Sequence, residues 1–113
     1  MRYLSPAELA FLKLLLDKSQ ARKMVETNLE TVQVQTMDDG AMGSITFAHT
    51  RKPTDGIYDR PCDAYFLDVD GTRVEVCLLV FEAQLIELDV WKVDFSPLKQ
   101  FPHQREQLHI LDH

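Results

Sequence analysis

The 113 residues suffice for one folded domain, and 45% hydrophobic with 27% charged residues exclude a disordered or low-complexity chain. The formal net charge is −6, and the acidic excess lies in the second half: residues 1–60 carry eight basic and eight acidic side chains, residues 61–113 four and ten. Nucleic acids and anionic membranes attract basic surfaces, so we expect neither as a partner. A basic protein partner fits this charge better.

Cysteine content and hydropathy indicate a reduced, cytoplasmic protein. Cys62 and Cys77 are too few for a disulfide framework, and no apolar leader core follows Met1. The longest apolar stretch, residues 77–81, is far too short to span a bilayer.

The first predicted element is a helix with a clear start. Ser5 can cap it, Pro6 suits the first helical position, and Glu8 completes a capping box. Apolar residues then recur at helical spacing: Leu9, Phe11, Leu12, Leu15 and Leu16. This stripe is broader than one sheet face needs, so a second helix or a partner chain should cover its other side.

Residues 19–28 are the candidate second helix, with Met24 and Val25 facing inward. The alternative is a homodimer, formed through the stripe around Leu9, Leu12 and Leu16 or through an open strand edge.

Strand periodicity follows, starting with predicted strands at 31–37 and 44–48. Asp70 and Gly71 predict a two-residue type I′ hairpin loop. This register would place one apolar face on Tyr65, Leu67, Val69, Val74, Val76, Leu78 and Val80. A second hairpin at 82–84 should lead into a strand over 85–95, and the tail from residue 99 suggests a short edge strand or a frayed helix.

These elements predict a single α+β domain over residues 1–113, with one or two N-terminal helices packed on an antiparallel β-meander of about five strands. A long polar loop at 49–62 interrupts the strands. It carries Arg51, Lys52 and Arg60, the one basic island in the chain, and could meet an anion or simply be solvated.

The last predicted strand carries the candidate binding residues. Glu87, Asp89 and Trp91 alternate with apolar residues and so share one face. Beyond Trp91 the apolar phase inverts, which predicts a β-bulge at Trp91–Lys92 that would add Asp94 to the acidic face. We therefore predict a partner-binding patch of Glu87, Asp89, Trp91 and Asp94, with the tryptophan as its anchor. The alternative is a solvated sheet face covered by one tryptophan.

No catalytic residue and no cofactor is predicted. Cys62 with His49 is the only nucleophile and base on one loop, and their spacing marks no known site. Residues 68–71 resemble the start of a calcium loop but lack its remaining ligands, and a hairpin explains them fully.

A small metal-assisted hydrolase is the second functional hypothesis. It would use carboxylates from Asp38, Asp39, Asp89 or Asp94. Adjacent aspartates beside Gly40 are also what a simple turn favours.

Three segments together resemble a family of small bacterial proteins of uncharacterised function. They are the R-x-L-S-x-x-E start at Arg2–Glu8, residues 39–44, and the E-L-D-x-W-K-x-D strand at Glu87–Asp94. The resemblance reaches about Leu98 and implies no catalytic residue. Immunity proteins that neutralise toxins are similar in size and acidity, which favours an immunity-like or adaptor role.

Overall fold

The computed structural model describes residues 1–48 and 51–111, and there it shows one α-helix packed on a seven-stranded antiparallel sheet. The helix, α1, spans Pro6–Ser19. The strands are β1 (Arg2–Tyr3), β2 (Gln33–Thr36), β3 (Ile45–Phe47), β4 (Asp59–Leu67), β5 (Arg73–Phe81), β6 (Gln84–Lys92) and β7 (His109–Ile110). The predicted α+β class is confirmed.

The start of α1 is capped as its sequence predicts. The Ser5 hydroxyl accepts a hydrogen bond from the Glu8 amide at 3.1 Å, and the Glu8 carboxylate accepts one from the Ser5 amide at 2.8 Å. Arg2 adds an ion pair to Glu8 at 2.6 Å, which ties β1 to the helix. Burial raises the pKa of Glu8, but the bonds to Arg2 and Ser5 outweigh it and leave the pKa lowered.

The predicted second helix is wrong. Gln20 has left-handed backbone geometry and ends α1, and only a single 3₁₀ turn, Ala21–Met24, follows. Met24 faces solvent, whereas Val25 packs partly against the core. A left-handed residue at the end of a helix turns the chain away from the helix axis, so α1 does not continue beyond Gln20.

The sheet order is β1-β2-β3-β6-β5-β4-β7. Strands β4, β5 and β6 form a meander, but β6 pairs with β3 on its other side. The five predicted strands correspond to β2–β6, so the expected count of about five is too low. Of the two further strands, β1 is missed, while β7 is the short edge strand that was one of the two alternatives for the tail; each has two residues, which is too short for an alternating pattern.

The loop that connects β4 and β5 is one residue longer than predicted. The Asp68 amide donates to the Thr72 carbonyl at 2.9 Å, which leaves a three-residue loop, 69–71. Gly71 has φ +83°, the left-handed geometry that such a loop requires of its last residue.

This difference reverses the predicted faces of β4, because a one-residue slip turns every side chain over. Ala64 and Phe66 are buried, while Leu67 and Val69 are exposed and Tyr65 lies on the outer face. The β5 half of the predicted apolar face is confirmed by the buried residues Val74, Val76, Leu78 and Val80.

The hairpin between β5 and β6 is confirmed. Phe81 pairs with Gln84, and both loop residues, Glu82 and Ala83, have the positive φ of a type I′ turn.

The end of β6 differs from the prediction. The strand stops at Lys92 and contains no bulge at Trp91–Lys92; its extra residue is Ile86, between Leu85 and Glu87. Lys92 continues the inward face and is fully buried. The alternation of inward and outward residues therefore continues as far as Lys92. The apolar pattern only looks inverted because a lysine occupies a core position.

The broad stripe of α1 is covered within the chain. Phe11 meets Phe66 edge-on at 5.6 Å on the sheet and stacks on Phe101 at 4.5 Å on its other side. Leu12 and Leu16 are buried in the same core. The C-terminal segment therefore covers the side of the stripe that was predicted to need a second helix or a partner chain, and it leaves Leu9 partly buried.

In the described part of the chain, no helix has the length and apolar character needed to cross a membrane.

Candidate functional site

The outward residues of β4, β5 and β6 form one surface, which we call the open face. Paired residues of antiparallel strands point to the same side of a sheet. The register gives two adjacent rows: Asp63, Cys77 and Asp89, then Tyr65, Glu75 and Trp91. Glu87 continues the face along β6, opposite Leu79.

A recess of about 330 Å³ lies in the centre of this face. Its lining side chains include Arg60, Asp63, Glu75, Cys77, Asp89 and Trp91, and we call it the acidic recess. Its volume is at the low end for ligand pockets, which suits one long side chain better than a large ligand.

Two of the recess carboxylates are paired within the chain. An irregularity between Asp59 and Cys62 in β4 brings Arg60 over the face, where it pairs with Asp63 at 3.1 Å. Arg73 pairs with Glu75 at 3.1 Å and lies over the Tyr65 ring, 3.9 Å from its centroid.

Asp89 differs from these two. Across residues 1–48 and 51–111, no lysine or arginine lies within ion-pair distance of its carboxylate. Its contact on the neighbouring strand is the Cys77 thiol, which donates a weak hydrogen bond at 3.7 Å. Asp89 is thus a half-buried carboxylate beside a tryptophan, with no balancing lysine or arginine among the described residues.

Glu87 and Asp89 interact as a carboxyl pair. Burial and a hydrogen bond with Asp89 raise the pKa of Glu87 to about 7, while Lys52 from the loop above opposes this shift. Two carboxylates on one strand face repel each other when both are ionised, so the pair retains a proton near neutral pH.

The cysteines are poor nucleophiles. Burial and the neighbouring Asp89 raise the pKa of Cys77 to about 11, and burial also raises the pKa of Cys62. Both thiols are therefore protonated at neutral pH. Cys62 is buried in β4, and His49, its predicted partner, lies outside the described residues.

Trp91 is 44% exposed at the rim of the recess. Its ring lies 6.1 Å from that of Phe95, which is also exposed. An exposed aromatic pair beside carboxylates is a common anchor at protein interfaces.

A buried ion network fixes the end of β6 next to Trp91. The Lys92 ammonium donates to Asp68 at 2.9 Å, to Asp70 at 2.7 Å and to the Pro97 carbonyl at 3.3 Å. Asp68 also accepts the backbone amides of Lys99 and residue 100. The hydrogen bond from Lys92 lowers the pKa of Asp70 to about 2.

The two aspartates that resembled a calcium loop therefore hold a lysine. Sequence reasoning missed this network because Lys92 occupies a core position of β6, where a charged residue is uncommon. The sequence feature that could have predicted this network is an Asp-x-Asp-Gly hairpin loop together with a lysine at the end of a later strand.

The fourth predicted binding residue, Asp94, lies in the turn after β6 and does not line the recess. Its carboxylate accepts hydrogen bonds from the amide and hydroxyl of Ser96, at 3.0 and 2.6 Å, and these lower its pKa. The structure thus brings Glu87, Asp89 and Trp91 together on one face and leaves Asp94 to a turn.

The carboxylates of the hydrolase hypothesis are not gathered in one place. Asp39 accepts the backbone amides of Met42 and Ser44, both at 3.1 Å, and shapes its own turn, with Asp38 exposed beside it. Among the described residues, no three His, Cys, Asp or Glu side chains lie close enough to hold a metal ion.

Sequence reasoning also missed Arg60, Asp63, Glu75 and Cys77 as recess residues. The predicted two-residue loop put the wrong face of β4 outward and turned Asp63 inward, which hid the row that Asp63 forms with Cys77. Both faces of β4 carry apolar residues, so periodicity alone does not choose between them.

Comparisons with known proteins identify a family but no activity. The sequence model of a protein family, the domain of unknown function DUF6984, matches residues 1–102. No curated protein and no solved structure matches the chain.

Proposed function

We propose that this chain, which belongs to the DUF6984 family, is a non-catalytic binding module whose open face receives a cationic side chain of a basic partner protein. The observation that supports this most is Asp89, a carboxylate in a recess beside Trp91 with no lysine or arginine of the described chain paired to it.

An arginine or lysine from a partner would make two favourable contacts there. Its charge would pair with Asp89, and its head group or stem would lie on the Trp91 ring, where cation–π attraction contributes about 0.5–2 kcal/mol. The thiol of Cys77 stays protonated, so the recess holds no activated nucleophile.

The biological form that we favour is an adaptor or immunity-like protein of the bacterial cytoplasm. Such a protein works by occluding a basic surface of its partner, and the net charge of −6 would speed the encounter. The alternative, a metal-assisted hydrolase, has weaker support because Asp39 and Asp94 are engaged in separate turns.

The test uses the single tryptophan of the chain as its reporter. The peptide acetyl-Gly-Gly-Arg-Gly-Gly-amide is titrated into the protein while Trp91 fluorescence is recorded, with a citrulline peptide as the uncharged isostere. We expect saturable binding of the arginine peptide, and binding by Asp89→Asn that is at least about tenfold weaker, which corresponds to ~1.4 kcal/mol.

The matched control is Glu26→Gln, which removes the same charge at an exposed position away from the recess. It should bind as the unmodified chain does. Equal fluorescence responses to arginine and citrulline, or an Asp89→Asn variant with unchanged affinity, would contradict the proposal.

A further inference from the structure

Three exposed apolar side chains lie beside the acidic recess. They are Leu67, Val93 and Phe95, with 57%, 40% and 68% of their surface exposed, and we call them the apolar shelf. Leu67 pairs with Arg73, whose carbonyl accepts the Val93 amide at 3.1 Å, and Phe95 faces Trp91 at 6.1 Å. In the row of the open face beyond Trp91, Leu67 and Val93 thus flank Arg73, whose guanidinium is engaged by Glu75 and lies over the Tyr65 ring, and Phe95 lies in the turn beside Trp91.

The backbone holds Phe95 outward at some cost. Its φ is +62°, a left-handed conformation that a residue with a bulky side chain rarely adopts. Its amide donates to the Lys92 carbonyl at 2.8 Å, so the turn is fixed to the buried ion network. A strained residue that presents an aromatic ring to solvent is typical of a binding surface.

We infer that the partner segment is both basic and apolar, with its cation in the acidic recess and apolar side chains on the shelf. This inference rests on the proposed function and specifies the partner's chemistry. A second copy of the chain is a poor occupant, because its own acidic face would meet this one with like charge.

Strand geometry sets the spacing of that segment. Two residues along a strand span about 6.7 Å, so Val93 lies about 13 Å from Asp89 along the chain direction of β6. An extended partner segment has the same rise and places alternate side chains on one side. An apolar residue four positions from the arginine would therefore reach Val93, and one two positions away would lie at the level of Trp91, beside Phe95.

Two peptides test this spacing in the Trp91 titration. One is acetyl-Gly-Arg-Gly-Leu-Gly-Leu-Gly-amide, and the other replaces both leucines with serine. We expect the leucine peptide to bind about tenfold more tightly, since each buried leucine contributes to affinity.

Two variants test whether the shelf residues cause the tighter binding of the leucine peptide. Phe95→Asn retains a residue that tolerates the left-handed backbone, and Val93→Ser is the second substitution. Each should reduce the advantage of the leucine peptide by at least about threefold and leave the affinity for the serine peptide unchanged. Ile57→Ser, an equally exposed apolar position in the 51–58 segment, is the control and should change neither affinity.

Equal affinities for the two peptides would overturn this inference while leaving the proposed function standing. A leucine preference that persists in both Phe95→Asn and Val93→Ser would overturn it as well. Failure of both peptides to bind would overturn both, and a shelf-dependent dimer in light scattering would assign the shelf to a second copy instead.

Discussion

Glu87 is a residue of the open face whose ionisation changes near neutral pH. Its carboxyl is half-buried beside Asp89, and its pKa is raised to about 7 from a usual value near 4.5. The folded chain therefore retains a proton between about pH 4.5 and 7 that the unfolded chain releases. Under proton linkage, stability from this group falls as the pH rises through that window.

Glu87→Gln should flatten this pH dependence. The free energy of unfolding of the unmodified chain should fall from pH 5 to pH 8 by on the order of 1 kcal/mol more than that of the variant, after allowance for solvent screening. Urea unfolding followed by Trp91 fluorescence at the two pH values measures the difference. The Glu26→Gln control should retain the slope of the unmodified chain, and parallel slopes for Glu87→Gln would contradict the assigned cause.

Alternation along one strand was enough to predict that Glu87, Asp89 and Trp91 share a face. It was not enough to predict their neighbours, because Asp63 and Glu75 reach the recess only through the register between strands. Arg60 depends on an irregularity in β4 that its sequence does not mark. The residues that were predicted thus lie close together on one strand, whereas the residues that were missed come from other strands and reach the recess through strand pairing.

Among the elements, the network around Lys92 joins the end of β6 and the segment that follows it to a loop more than 20 residues earlier in the chain. It ties the end of β6 to the β4–β5 loop through Asp68 and Asp70, and to the C-terminal segment through the Pro97 carbonyl and the Lys99 amide. Since that segment covers α1, the network also supports the second side of the core.

Lys92→Met should destabilise the fold, because it leaves the buried Asp68 carboxylate without its cation. We expect a melting temperature at least about 5 °C below that of the unmodified chain at pH 7. Differential scanning calorimetry provides the measurement, and Lys99→Met, at an exposed lysine 4.0 Å from Asp70, is the matched control. Equal melting temperatures for the two variants would contradict a structural role for Lys92.

Turn residues alone did not decide which hairpins were predicted correctly. The sequence Asp70-Gly71 is compatible with a two-residue and a three-residue loop, and only the packing of Phe66 and Asp68 selects the longer one. By contrast, Glu82 and Ala83 form a type I′ turn without the usual glycine, because the two flanking strands fix its length. The helix start needed no tertiary information, since its cap is local.

For the whole molecule, the acidic second half of the chain and the α1 layer have separate roles. The helix and C-terminal segment bury one side of the sheet, while the open face keeps Asp89, Trp91 and the apolar shelf accessible. Net charge near −6 should attract a basic partner over a distance of about 10 Å at moderate salt.

The most direct measurement is a ¹⁵N–¹H chemical-shift map of the full chain during titration with the arginine–leucine peptide, at low and high salt. We expect the largest shifts at the Trp91 indole and at the amides of Glu75, Cys77 and Asp89, with weaker binding at high salt. Shifts confined to α1 or the C-terminal segment, or binding that is insensitive to salt, would contradict a cation-binding open face.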